Sequence, residues 1–282
     1  RPRYSSGAQG SYALGLVHER YRGADTIHHA GATLGCVHQL LSVPAHGLDL
    51  SIISNRMDGA APGLAWKVVD AVLGDVLAPA VPPLAPAEHE AVTGRWYAPA
   101  SRRLYTVMQQ PQPNQSATLA LAVNDGPIGL LRQKDGGYFA DSPAHGTVDL
   151  RVPAGAGARP ASLELSDSGH VERVQRLPDS GPDATALGAE LVGRYRYADF
   201  GIELAVIVES GKLFLDLRPP CGTARFELAP YSDDVLGGTY VSSWPVPLPV
   251  PATLVVERSG GRVSGLWMST ARTRNLWLER CA

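Results

Sequence analysis

Lysine is nearly absent from this chain: Lys67, Lys134 and Lys212 are the only three among 282 residues. Leu64, Leu131 and Glu209 stand three positions before them, so no Ser-x-x-Lys exists. Asparagine is as scarce, at Asn55, Asn114, Asn124 and Asn275, and neither serine nor tyrosine stands two positions before any of them. A G-x-S-x-G elbow is missing too. No serine nucleophile is therefore recognisable with its base. Cys36, Cys221 and Cys281 are too few and too scattered for a disulfide framework. Their odd number favours free thiols and slightly favours a reducing, cytoplasmic compartment. No apolar run nears the roughly 20 residues that a membrane span needs, so no membrane association is expected. A net charge of −2 gives no basic surface for nucleic acid. The chain opens on Arg1 rather than methionine, which is read as the loss of the amino-terminal part of a longer protein.

What is present describes two or three domains in 282 residues. Residues 11–54 read as strands joined by turns: "SYALGLVHERY", then "TIHHAGATLGCVHQLLSV", then "LDLSIISN". A helix is expected from Pro62 to Leu77, amphipathic and packed on the sheet, with Leu64, Val68, Val72 and Val76 recurring every four residues and Val69 and Leu73 beside them. Asp58 is a candidate for its cap. "PAVPPLAPAEHE" reads as a proline-rich linker over 79–90.

Beyond it the chain repeats. Gly94-Arg95-Trp96 matches Gly193-Arg194-Tyr195 at an offset of 99. "GGYFADSP" at 136 matches "GGTYVSSWP" at 237, and "SLELSDSGHVERV" at 162 is paired with "TLVVERSGGRVSGL" at 253 as the terminal hairpin of each unit. Two all-β units are placed at 91–180 and 188–282, joined by "LPDSGPDATALG". Short alternating segments between Gly, Asp, Ser and Pro turns fit eight strands closed into an antiparallel barrel. Trp96, Tyr105, Phe139, Tyr195, Phe214, Phe226 and Trp267 are expected in the cores.

"HAG", His29-Ala30-Gly31, preceded by "YALGL" and followed by "IISN" and a helix, resembles the His-x-Gly strand of D-stereospecific aminopeptidases, members of the serine β-lactamase and penicillin-binding-protein family. The resemblance covers the whole chain. It implies an α+β remnant of a β-lactamase-like catalytic domain at 1–78, followed by two lipocalin-like, eight-stranded barrels. It also implies a serine hydrolase that releases amino-terminal D-residues from peptides, amides or esters, with its nucleophile upstream. The substrate would be a small peptide or amino-acid amide. No cofactor or metal is implied, and a homodimer is compatible with it.

By the same resemblance His29 faces the pocket, Gly31 keeps the strand clear of substrate, Ala32 supplies a backbone N–H to the oxyanion, and Ala30 lies against the substrate. A loop of the second barrel would reach the cleft. Its counterpart is Thr239–Ala252, with Trp244 as anchor and Pro245, Val246, Pro247 and Leu248 lining the substrate. No acid lies in this segment to receive the substrate's amine; Asp233 and Asp234 lie just before it. Other readings compete with these. His29 could be a satisfied core histidine. His28, on the opposite face by alternation, reads as structural. A metal cluster of His29, Cys36, His38 and His46 lacks ligand spacing. The proline segment could be a blunted edge strand. A related esterase, β-lactamase or D,D-peptidase, and a non-catalytic double-barrel module, remain alternatives.

Overall fold

The computed structural model describes residues 2–3, 9–33, 35–56, 61–86, 89–112, 115–124, 126–142, 146–167, 169–218, 223–241, 251–270 and 273–281. It begins with a five-stranded antiparallel sheet in the order β1 (Tyr12–Ala13), β2 (Leu16–Tyr21), β3 (Ala24–Thr33), β4 (Cys36–Val43) and β5 (Leu48–Ser54). Sequential hairpins give this order directly, because neighbouring strands are joined by turns too short for a crossover. Helix α1 (Ala61–Leu73) covers one face. Asp58, proposed as its cap, lies outside the described residues.

The buried side of α1 is only partly the expected one, keeping Val69 and Leu73 but not Leu64, Val72 or Val76. Ala61, Ala65 and Val69 are buried, with Trp66 and Leu73 beside them, against Leu41, Val43, Leu48, Leu50 and Ile52. Leu64, Val72 and Val76 are 50%, 59% and 63% exposed. The two small alanines let the helix approach the sheet, whereas Leu64, Val72 and Val76 face outward. The helix also stops at Leu73, before Gly74, a poor helix former. Asp70 ties it down, accepting from Tyr21 Oη at 2.9 Å and from Arg22 Nη1 at 2.6 Å.

The first barrel closes through β6 (Gly94–Ala98), β7 (Arg103–Gln112), β8 (Gln115–Val123), β9 (Gly126–Lys134), β10 (Gly137–Ser142), β11 (Gly146–Arg151), β12 (Ser162–Asp167) and β13 (His170–Arg176). Helix α2 (Ala184–Leu191) follows, a missed element in the connecting segment, with Asp183 capping Ala186 N at 2.9 Å. The second barrel is β14 (Gly193–Tyr197), β15 (Ile202–Glu209), β16 (Lys212–Arg218), β17 (Ala224–Pro230), β18 (Val235–Val241), β19 (Pro251–Ser259), β20 (Arg262–Thr270) and β21 (Leu276–Arg280). Both interiors are filled by side chains, with Trp96, Tyr105 and Tyr195 fully buried and Phe226 buried. Phe139, Phe214 and Trp267 are not core. Ala140, Leu213, Leu215, Leu266 and Met268 take the inward positions beside them, so strand alternation turns these three rings outward.

The repeat is built into the barrel ends. Trp96 Nε1 donates to Val92 O at 2.8 Å and Tyr195 Oη donates to Leu191 O at 2.7 Å, each reaching four residues back. On the last strand of each barrel an arginine clasps the carbonyls before the first. Arg176 donates to Ala91 O and Thr93 O at 2.5 and 2.7 Å, and Arg280 to Glu190 O and Val192 O at 2.6 and 2.9 Å. Arg176 lies 4.1 Å above the Trp96 ring and Arg280 5.9 Å above Tyr195. Gly94 (φ +127°) leaves room: a Cβ there would sit 2.9 Å from Arg176 Nη1. This pairing makes β13 and β21 the equivalent last strands. The hairpin at 253, matched to the terminal one at 162, is β19–β20 instead, and β21 follows it. Its "SGG" turn resembles the first barrel's "DSG" turn locally, but it sits one strand earlier.

The segment after α1 packs onto the first barrel. Beyond the Ala120–Leu130 pair β8 and β9 separate, and Leu84 fills the gap. Leu84 N donates to Leu131 O at 3.0 Å, Leu119 N donates to Leu84 O at 2.9 Å, and the Leu84 side chain joins the core. The barrels also meet each other. Leu104, Leu177 and Val235 form one buried cluster with Tyr97 and Tyr231. Buried Asn124 Oδ1 accepts from Leu104 N at 3.2 Å and from Thr253 Oγ1 of the second barrel at 3.0 Å. Arg95 stacks 4.0 Å over Tyr231 and Arg102 4.3 Å over Trp267.

Burial raises the phenols of Tyr97, Tyr105, Tyr138 and Tyr195, and burial together with Asp70 pushes Tyr21 up to about 12. The folded chain thus prefers the neutral phenol. This stabilisation is complete below the unfolded value of about 10 and is lost as pH rises through the raised values. The phenolate absorbance of these five, among ten tyrosines, should therefore rise late in alkaline titration, in step with the loss of circular dichroism. A titration of these five centred on the unfolded value in a still-folded chain would contradict it.

Candidate functional site

Strand β3 carries the predicted motif and has two faces. Thr26 and His28 point towards α1, whereas Ile27, His29 and Gly31 share the uncovered face. His28 is 1% exposed, its Nε2 2.8 Å from Glu19 Oε1, its Nδ1 3.3 Å from Gln39 Nε2 and its ring edge-on to Trp66. Every polar atom of that ring is engaged within the core between sheet and helix.

His29 stands on the other face. Its Nε2 is 3.0 Å from Tyr12 Oη, with ring centroids 5.7 Å apart. The β2–β3 register ends at Val17–His28, so from His29 to Thr33 β3 pairs only with β4 among the described residues. Along this stretch every second N–H and C=O points away from β4. Ala32 lies in it and is exposed, and Ala30 is half-buried. An extended substrate backbone can pair with such a free strand edge by main-chain hydrogen bonds.

Gly31 has a reason within the fold itself. In the β3–β4 register it faces His38, and a methyl at Gly31 would overlap the His38 imidazole. The missing side chain is filled by a ring from the neighbouring strand. Sequence reasoning gave Tyr12 of this face no role and weighed His38 only as a metal ligand. Tyr12 stood in the quoted "YALGL". His38 follows from hairpin counting, since Thr33 and Cys36 flank a two-residue turn and Gly31 must then oppose position 38.

A shallow groove of about 400 Å³ continues this face, lined by Leu16, Ile27, Leu40, Ser42, Asp49 and Ser51. Among the described residues no three His, Cys, Asp or Glu side chains are placed to hold a metal ion. No described helix is long and apolar enough to cross a membrane. Cys36 is a free thiol. Trp244, Pro245, Val246, Pro247 and Leu248 lie outside the described residues. Pro251 opens β19 opposite Thr239, a strand start that needs no proline N–H. Asp234 is bound to Arg258, 2.8 Å away, and its turn joins β17 to β18 at the α2 end of the barrel. Val241 and Pro251 lie at the opposite end of the barrel from that turn.

No family model matches the chain. Two curated proteins from strains of Cereibacter sphaeroides, both called D-aminopeptidase, are 27% identical to it over 283 and 286 residues, covering 99% of this chain and 48% of each relative. A crystal structure of SurE with D-Leu aligns at 18% identity and a TM-score of 0.31, covering 96% of this chain and 38% of that one. Along nearly all of its length the chain is thus similar to D-aminopeptidases, and it spans about half the length of these relatives.

Proposed function

We propose that this chain is the carboxy-terminal half of a serine hydrolase that removes amino-terminal D-residues from peptides, amides or esters. The observation that carries the reading is the 27% identity to D-aminopeptidases across the sheet and both barrels together. The uncovered apolar face of the sheet supports it. Leu16, Leu40 and Ile53 are 36%, 53% and 76% exposed there, an apolar stretch of the kind that a partner element covers.

In this reading a serine from the upstream half attacks the carbonyl carbon of a D-aminoacyl amide. The oxyanion receives the Ala32 N–H, the C–N bond breaks, and the amine leaves with a proton. Water then cleaves the acyl-serine ester, releasing the D-amino acid and restoring the serine. His29, held by Tyr12, supplies a hydrogen-bonding group beside the reacting carbonyl, and the free edge of β3 orients the substrate backbone. The barrels act as a scaffold, with the segment after Val241 bordering the substrate.

The test is to purify the parent protein and assay D- and L-alanine p-nitroanilide. Turnover of the D-isomer is expected, together with Ser-x-x-Lys and Tyr-x-Asn in the upstream sequence. His29→Ala should lower kcat/KM by roughly 10²-fold with an unchanged unfolding midpoint. The 282-residue chain alone should be inactive. No turnover by the parent, or equal turnover of both isomers, contradicts the reading.

A further inference from the structure

We propose that His38 recognises the free amine of the D-aminoacyl substrate, an inference that rests on the D-aminopeptidase reading. The His38 side chain leaves β4 and crosses to β3, where its Nε2–Cε1 edge occupies the place of the absent Gly31 side chain. That edge is one residue, about 3.3 Å of strand, from Ala32, whose N–H the reading assigns to the scissile carbonyl. In an aminoacyl group the amine is separated from the carbonyl by a single carbon. The two sites therefore match in spacing.

The chemistry fits as well. His29 Nε2 is already engaged by Tyr12 Oη. His38 is half-buried and has no hydrogen-bond partner among the described residues. A neutral imidazole nitrogen without a hydrogen accepts from an ammonium group. The carboxylates of this face serve elsewhere. Asp25 is paired with Arg20 at 3.3 Å. Asp49 stands opposite Ser42, which opposes Ile27, four residues and about 13 Å along β3 from Gly31. The one lysine or arginine on β1 to β5 is Arg20, the partner of Asp25. A histidine opposite a glycine thus supplies the amine acceptor that the acid-free 242–250 segment lacks.

In the parent protein, the ratio of kcat/KM for D-alanine p-nitroanilide to that for its des-amino counterpart, propionyl p-nitroanilide, reads amine recognition alone. His38→Ala should lower this ratio at least roughly tenfold, about 1.4 kcal/mol, chiefly through KM. His38→Gln, which keeps an acceptor, should recover part of it. An unchanged ratio, with turnover of the two substrates equally affected, would make His38 a packing residue and leave the aminopeptidase reading intact. A wild-type parent inactive on D-aminoacyl anilides overturns both. The placement is read in the 282-residue chain by thermal unfolding. Gly31→Ala should lower the midpoint, and in a His38→Ala background the same change should cost little. Equal losses in both backgrounds would remove the ring from Gly31 and the inference with it.

Discussion

A fragment that begins at Ala91 should be less stable by about 3–6 kcal/mol than one that begins at Pro79. The missing residues look dispensable, being rich in proline and mostly exposed. Their removal nonetheless strips the seam between β8 and β9. Leu119 and Leu131 are fully buried, and Leu84 is the partner of the Leu119 N–H and the Leu131 carbonyl. Each buried group left without a partner costs about 1–3 kcal/mol. The Leu84 side chain leaves the core as well, and Arg132 Nε loses Val81 O at 3.0 Å. His89, edge-on to Tyr138 at 5.5 Å, is lost with them. Urea unfolding of the fragments 79–282 and 91–282, followed by circular dichroism, measures the difference. Coincident midpoints would mean that the segment merely lies on the barrel.

Trp96→Ala should cost the first barrel about 3–5 kcal/mol. The indole is fully buried at the barrel end, and its loss also orphans Val92 O and removes the surface under the Arg176 guanidinium. Trp96→Phe separates these contributions. It keeps a ring in the core and a face for Arg176 but loses the Nε1–H bond, and should cost about 1 kcal/mol plus the smaller volume. Arg176→Ala should fall between them, since it breaks the bonds to Ala91 O and Thr93 O while the ring stays. Denaturant titrations of the three variants would show this order. A Trp96→Ala loss below about 1 kcal/mol would place the indole outside the core's cooperative unit.

The fold was legible where the signal is local. Gly94-Arg95-Trp96 and Gly193-Arg194-Tyr195 each open a barrel, and the regular turns between short alternating segments marked eight strands per unit. Arg176 and Arg280 were invisible, because the rings and carbonyls they clasp lie some eighty residues away, and no spacing rule links a cation to a distant ring. The outward turn of Phe139, Phe214 and Trp267 was missed because ring size was weighed above strand parity. The packing face of α1 was misread for a similar reason, with Ala61 and Ala65 overlooked beside bulkier neighbours. At the candidate site, motif matching pointed to His29, Gly31 and Ala32 but gave Gly31 an empty neighbourhood. The hairpin register fills that space with His38.

Closure of both barrels also decides where copies of this chain would adhere. A closed barrel has no strand with unpaired backbone along its flank, so neither barrel offers a template to another molecule. The five-stranded sheet does, at the outer flank of β5, Leu48–Ser54. That strand carries one charge, Asp49, and no proline or lysine, the usual guards against amyloid-like pairing. Ile53 is 76% exposed on it. On heating or concentration, aggregation should nucleate at β5, and a single Ser51→Lys on its open face should delay it without touching either barrel.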